Sequence, residues 1–236
     1  SIQMCFSASA SFTAAAVLMP LGLYTHHLAS EAKRPGYKPL ALVPFFFGLQ
    51  QFIEGFVWVG LGHGETVASP VEPLTSITSV GFLFFAYCFW MIWIPWSAYS
   101  IGRHSESEGV KRALRWVWII GSILGISFWL PLLIHPPLIQ PGLVTGGRIV
   151  YNVNTIFHNF INTEPIGELI YWCWIVIPLL ILKDKAVKLF GVLIVLSIIL
   201  TLFTYSMAFN SVWCFYSAIL SIFVLWIVNR PEMRRA

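Results

Sequence analysis

Charge is what this sequence has least of. Only 10% of its 236 residues are charged, where soluble domains carry about 25%. With 58% hydrophobic residues and a mean hydropathy of +0.78, this excludes a soluble globular domain and a disordered chain. Cysteine is also scarce. Four residues, scattered, make neither a disulfide scaffold nor a C-x-x-C zinc motif. None of the six histidines falls well inside an apolar run, and no H-x-x-x-H or H-E-x-x-H pair occurs, so the intramembrane zinc-hydrolase patterns are missing. There is no G-x-S-x-G and no P-loop. No basic stretch precedes the first apolar segment, so no cleavable signal peptide is expected.

What is present is apolar sequence in lengths that cross a bilayer. Seven segments have spanning length, about 17–25 residues. They run from Ser7 to Leu28, Pro39 to Leu61, Leu74 to Ile101, Leu114 to Ile134, Pro165 to Leu182, Ala186 to Met207 and Ser211 to Val228. The fold class expected is therefore an all-α membrane protein of seven transmembrane helices, one domain over residues 1–236. The 11 Trp, 19 Phe and 8 Tyr suit aromatic belts at the two interfaces.

Thirteen of the fourteen Lys and Arg residues fall after the first, third and fifth segments or in the tail, and only Arg148 lies on the other side. By the positive-inside rule the N-terminus is outside and the C-terminus cytoplasmic. The same placement explains the net charge of +4 through a lipid bilayer, with no nucleic-acid partner. Of the outer loops, residues 135–164 are the longest. There Gly146-Gly147 between β-branched residues reads as a short β-hairpin, and the loop either covers or shapes a site or is a passive linker.

Glu54 is the one acidic residue deep inside a segment. It lies seven residues from the outer end of the second, about 10 Å into the membrane. A carboxylate there costs about 2.5–3.5 kcal/mol, so it faces the bundle interior, finds a partner or is protonated. Gln50 is one turn deeper on the same face and Trp58 one turn shallower. Glu168 opens the fifth segment, where the helix dipole favours a carboxylate, and Tyr171 follows on its face. Tyr205 ends the polar stripe of the sixth segment, and Asn210 and Trp213 open the seventh. With Glu54 these form the candidate ligand set. Small polar stripes also pack membrane helices closely, which is the competing account of each.

Cys5 precedes the first segment, and Cys214 lies one turn into the seventh from the same side. Three readings stand: two buried thiols acting as small hydrophobes, a disulfide, or a metal site. In the last, a transition metal is held by Cys5 and Cys214 joined by Glu54 or by His63 or His158. Cys88 and Cys173 read as buried thiols. The last segment has no Lys, so no retinal is expected. No catalytic set is assigned.

The opening Met4-Cys5-Phe6-Ser7-Ala8 resembles a family of bacterial integral membrane proteins without an assigned activity that begin Met-Cys-Phe-Ser-Ala. Gln50-Gln51-Phe52-Ile53-Glu54-Gly55-Phe56-Val57-Trp58 is similar to that family's Gln-Gln-x-x-Glu-Gly-x-x-Trp segment, and Trp213-Cys214-Phe215 is similar too. The resemblance implies a bacterial inner membrane and no particular function. The functional expectation is an outward-facing polar pocket that binds a small ligand or metal ion for sensing or transport. One alternative is a membrane-embedded enzyme using Glu54 with Cys5 or Cys214. The other is a packing role for Glu54 with no ligand. Oligomeric state is not legible.

Overall fold

The computed structural model describes residues 7–32, 34–61, 73–135, 139–144, 148–153, 164–205 and 209–231. The chain is a helical bundle with one two-stranded hairpin. Its helices are α1 (Ala8–Glu31), α2 (Lys38–Ala41), α3 (Val43–Leu61), α4 (Pro73–Leu83), α5 (Trp90–Ser105), α6 (Glu108–Ile134), α7 (Glu164–Ile181), α8 (Lys185–Tyr205), α9 (Phe209–Leu220) and α10 (Phe223–Asn229). They form seven helical spans. Six are long and apolar enough to cross a membrane: Ala8–Glu31, Pro35–Leu61, Thr75–Ser105, Glu108–Ile134, Lys185–Phe203 and Val212–Asn229. In α7, the remaining span, the apolar part is the shorter Leu169–Ile181.

Local chemistry sets the ends and breaks. Ser7 caps α1, its Oγ accepting the Ala10 amide. The second span is not one helix. A 3₁₀ turn (Pro35–Tyr37) and α2 precede α3, with Leu42 as the joint, because Pro39 and Pro44 supply no backbone donor there. Between α4 and α5 lies a π-helical stretch, Phe84–Phe89, in which the Trp90 amide donates to the Phe85 carbonyl. Ser221 separates α9 from α10, its hydroxyl donating to the Ala218 carbonyl at 2.6 Å.

Close helix packing follows small residues, as expected where lipid supplies no hydrophobic drive between helices. Buried Ser11, Ala15, Leu18, Gly22, Thr25 and Ala29 form the stripe of α1 that lies along α3. Gly22 is the tightest point, where an added Cβ would sit 2.2–2.6 Å from atoms of Phe45. On α6 only Leu114, Gly121, Gly125 and Leu132 are buried. Trp116, Ile120, Ile123, Ile126, Leu130 and Leu133 lie on an exposed apolar face suited to lipid.

The basic loops meet at one end of the bundle. Arg230 holds Asp184 with two bonds, 3.0 and 2.7 Å, and the Tyr37 hydroxyl donates to the same carboxylate. Asp184 also caps α8 through the amides of Ala186 and Val187. Beside it, the Lys183 amide donates to Glu106, which is 8% exposed. These contacts join the segments after the first, third and fifth spans to the end of the seventh. Burial pushes the Asp184 carboxyl up, but Arg230 and Tyr37 outweigh it and hold the carboxyl below the usual range.

At the opposite end, β1 (Ile139–Val144) and β2 (Arg148–Val153) pair antiparallel, with Leu143 opposite Ile149 and Pro141 opposite Tyr151. The Gly146-Gly147 turn lies outside the described residues. β1 touches α3 and α4, and β2 touches α9. Ile149 and Tyr151 are 1% and 8% exposed, so one face of β2 is sunk into the bundle.

Candidate functional site

Glu54 sits in α3 and is 1% exposed. Gln50 and Gln51, one turn away on the helix, are fully buried. Gln51, one turn deeper, donates from Nε2 to Glu54 Oε2 at 3.0 Å. Gln50 works on the other side. Its Oε1 accepts from Trp90 Nε1 at 2.8 Å, and its Nε2 donates to Cys214 Sγ at 3.2 Å. One side chain thus ties α3 to both α5 and α9. The π-helical stretch just before Trp90 supports this arrangement, because Tyr171 from α7 donates its hydroxyl to the Ala86 carbonyl within it.

The hairpin closes the site at the end of the bundle opposite the basic loops. Tyr151 stacks on Phe82 of α4, ring centroids 4.8 Å apart and planes 11° from parallel. Burial raises the Tyr151 phenol well above the usual tyrosine range, and the charges of nearby Glu54 and Cys214 add to the effect. A strand side chain therefore reaches the neighbourhood of a carboxylate within the membrane span. Thr75, Ser79 and Phe82 share a face of α4 by their spacing of four and three. An added Cβ on Gly60 would lie 2.0 Å from Thr75 Oγ1, and one on Gly81 would lie 3.4 Å from Ile53. α3 and α4 are thus antiparallel neighbours, and Ser79 falls at about the level of Gly55.

Among the described residues, several polar atoms here have no hydrogen-bond partner: Gln51 Oε1, Thr75 Oγ1, Ser79 Oγ and Tyr151 OH, with Ser217 Oγ one turn further along α9 from Cys214. Their residues are between 0% and 8% exposed. Such atoms are rare in folded proteins and call for an explanation each time. Here they gather on the elements around Glu54.

The floor of the site is apolar. Phe47, two turns below Glu54, stacks on Trp90 with centroids 3.9 Å apart. Below that lie buried Val43, Leu40 and Ile94. A separate open groove of about 560 Å³ runs between α1 and α9, lined by Thr13, Val17, Leu18, Phe215 and Ile219. It is mostly apolar and none of the polar cluster lines it, so the chemistry lies with the buried cluster rather than with the groove.

Of the residues singled out from sequence, Glu54, Gln50 and Cys214 are brought together, and Trp58 is buried on the same helix. Trp213 is buried but turned to α8, its Nε1 donating to Ser197 Oγ at 3.2 Å, and the Tyr171 ring lies edge-on to it. Cys5 and His63 lie outside the described residues, and for Glu168, Tyr205 and Asn210 only the backbone is described. Cys214 is a free thiol among the described residues, and Cys5, its partner in the disulfide reading, lies outside them. Cys173, expected to be buried, is exposed on the outside of α7, because the inward face of that helix is taken by Ile175, Val176 and Leu179. Among the described residues no three His, Cys, Asp or Glu side chains come together as metal ligands. In the sixth span, Ser197 and Thr201 bond back to the Ile194 and Ser197 carbonyls, as packing residues do.

Sequence reasoning did not select Gln51, Trp90 or Tyr151. Gln51 stood beside Gln50 but one position round the helix. Tyr151 carried a signal, since Ile149 and Tyr151 alternate on one face of a strand. Trp90 carried none. No protein-family model, no curated protein and no solved structure matches this chain.

Proposed function

We propose that this chain is a multi-pass protein of the bacterial inner membrane, N-terminus outside, whose Glu54 cluster is an outward-facing pocket that binds a small polar ligand for sensing or transport. The orientation rests on the placement of the basic residues, and the bacterial setting on the resemblance of the Met4–Phe12 and Gln50–Trp58 segments. One observation carries the pocket: four buried oxygens, on Gln51, Thr75, Ser79 and Tyr151, that have no partner among the described residues and lie on the elements around a buried carboxylate. A buried polar atom left unpaired costs about 1–3 kcal/mol. Evolution tolerates that at sites where a ligand supplies the missing partner.

The test is to remove the oxygens without changing shape. Thr75→Val and Ser79→Ala, purified in detergent, should melt at the same temperature as the ligand-free protein or above it, because an unpaired polar atom is replaced by an apolar one. A packing role predicts the opposite. A fall of more than about 1 kcal/mol in either variant would show that the hydroxyls hold the fold together, and the pocket reading would fail.

A further inference from the structure

At the basic end of the bundle, α6 carries positive charge that no carboxylate there takes up. Glu108, in the first turn of α6, is held by Lys111 at 2.8 Å. Arg112 and Arg115 follow on the same helix. Both are exposed, and among the described residues neither forms an ion pair. Arg115 is nonetheless fixed in place. Its Nε and Nη2 donate to the Tyr99 hydroxyl at 3.3 and 3.1 Å, and its guanidinium carbon lies 5.7 Å from the centre of that ring. Trp118 stacks on Tyr99 with planes 9° from parallel, so Tyr99 is held in turn. A spacing of three puts the Cβ atoms of Arg112 and Arg115 about 5–6 Å apart, close enough to grip one anion between them.

The surface next to them is apolar in the direction of the membrane. Trp116 is 56% exposed and lies one turn from Arg112 on the same face, and Ile120, Ile123 and Ile126 continue that stripe. A hydrocarbon core takes about 20 residues of helix, so in a helix ending at Ile134 the two arginines and Trp116 fall at its boundary. From Trp116 to Ile126 the stripe runs about 15 Å, the depth of one leaflet. A fixed positive pair, an interfacial indole and an apolar stripe one leaflet deep follow the order of a phospholipid from headgroup to tail. A second copy of the chain fits this face less well. Related by a two-fold axis along the membrane normal, it would set its own Arg112 and Arg115 against these, like charge on like.

We infer that this face of α6 holds one anionic phospholipid, its phosphate between Arg112 and Arg115 and an acyl chain along Trp116, Ile120, Ile123 and Ile126. The site is independent of the Glu54 cluster and of the direction in which the chain crosses the membrane. It needs only that the basic end faces a leaflet containing anionic lipid. Tyr99 is a positioning residue. It belongs to α5 and keeps the Arg115 guanidinium beside its ring, so the lipid is gripped by α6 with support from α5. A basic residue near the membrane surface raises the preference for anionic lipid about fivefold, and the two arginines act on the same headgroup.

The experiment reconstitutes the full chain in vesicles of phosphatidylcholine and phosphatidylglycerol, with dibrominated acyl chains on one lipid at a time to quench tryptophan fluorescence. The part of the quenching that Trp116→Phe abolishes reports on this site. That part should favour brominated phosphatidylglycerol over brominated phosphatidylcholine. Arg112→Gln and Arg115→Gln should each lower the preference about fivefold. Tyr99→Phe, which keeps the ring against Trp118 and removes the hydroxyl, should lower it by a smaller factor. Lys188→Gln removes an exposed charge of α8, which packs on α7 and α9, and should change the preference by less than about twofold. If Arg115→Gln does not fold, Arg112→Gln carries the test. Four results overturn the inference. They are equal quenching by the two lipids, a loss in Lys188→Gln as large as in the arginine variants, displacement of phosphatidylglycerol by inorganic phosphate, and cross-linking of two chains through this face with Trp116 shielded from both lipids. The second would mean general attraction to the whole basic end, the third a free anion as the ligand, and the fourth a second copy as the occupant.

Discussion

Arg230→Met is the sharpest test of what fastens the basic end of the bundle. Arg230 and Asp184 make a two-pronged pair at 2.7 and 3.0 Å, with side chains only 13% and 15% exposed. Removing one partner of a fully buried pair costs about 3–5 kcal/mol. This pair keeps some contact with water, and Asp184 retains Tyr37 and two amides of α8, so about 2–3 kcal/mol is the reasoned loss. At about 2–4 °C per kcal/mol for a chain of this size, the melting temperature should fall by about 4–12 °C. The protein can be followed in detergent by the fluorescence of its 11 tryptophans. Acid supplies a second reading. Arg230 and Tyr37 lower the Asp184 pKa in the folded state. Its contribution is therefore complete above the unfolded carboxyl value, about 3.9, and is lost as pH falls through the lower folded value. Wild type should lose stability steeply below about pH 4, and Arg230→Met should lose much less over the same range. A melting temperature within about 1 °C of wild type at pH 7, or an unchanged acid slope in the variant, would refute the latch.

Gln50→Leu and Trp90→Phe should each destabilise the protein, by about 0.6–1.7 kcal/mol per lost bond, and the double variant should lose less than their sum, because both remove the same Gln50–Trp90 bond. Strict additivity in a thermal or denaturant cycle would show that the bond contributes nothing. Gly22→Val should disrupt the α1–α3 seam by about 3 kcal/mol or more, since the atoms it meets include the Phe45 backbone. Gly109→Ala, where nothing lies within 4 Å, should leave the melting temperature unchanged or slightly higher. Equal effects of the two would mean that the α1–α3 contact is looser than described.

The helices were legible because membrane physics is simple at that level. A run of about 20 apolar residues has few structures open to it, so the seven segments came from the sequence with ends displaced by a few residues. Glu54 was legible for the same reason, since a lone carboxylate among apolar residues has to be accommodated. The partners of Glu54 were not. Helical spacing pairs residues within one helix, but Tyr151 comes from a strand nearly a hundred positions away, and no periodicity predicts that it sinks beside α3. Trp90 depends on the π-helical stretch before it, which rotates the rest of the span, and nothing in Phe84–Phe89 announces that extra residue per turn. Cys173 shows the converse failure. Its surroundings are apolar, and apolar surroundings in a membrane protein mean lipid as readily as core.

The way the cluster is enclosed constrains how a ligand there could act. On the hairpin side, the wall is a strand, β2, packed against α9. On the inner side, the Phe47–Trp90 stack lies across the core, and Trp90 is held in place by Gln50 from above. Gln50 in turn is held by its contact with Cys214 on α9. A ligand that shifts α3 even slightly therefore acts on the stack through a hydrogen bond, and on α9 through the same side chain. Passage to the inner face requires Trp90 to swing away, which breaks the Gln50 bond and separates α5 from α3. The Gln50 side chain links α3 to α9, whose continuation α10 ends at Asn229, next to Arg230 and the Asp184 latch at the basic end.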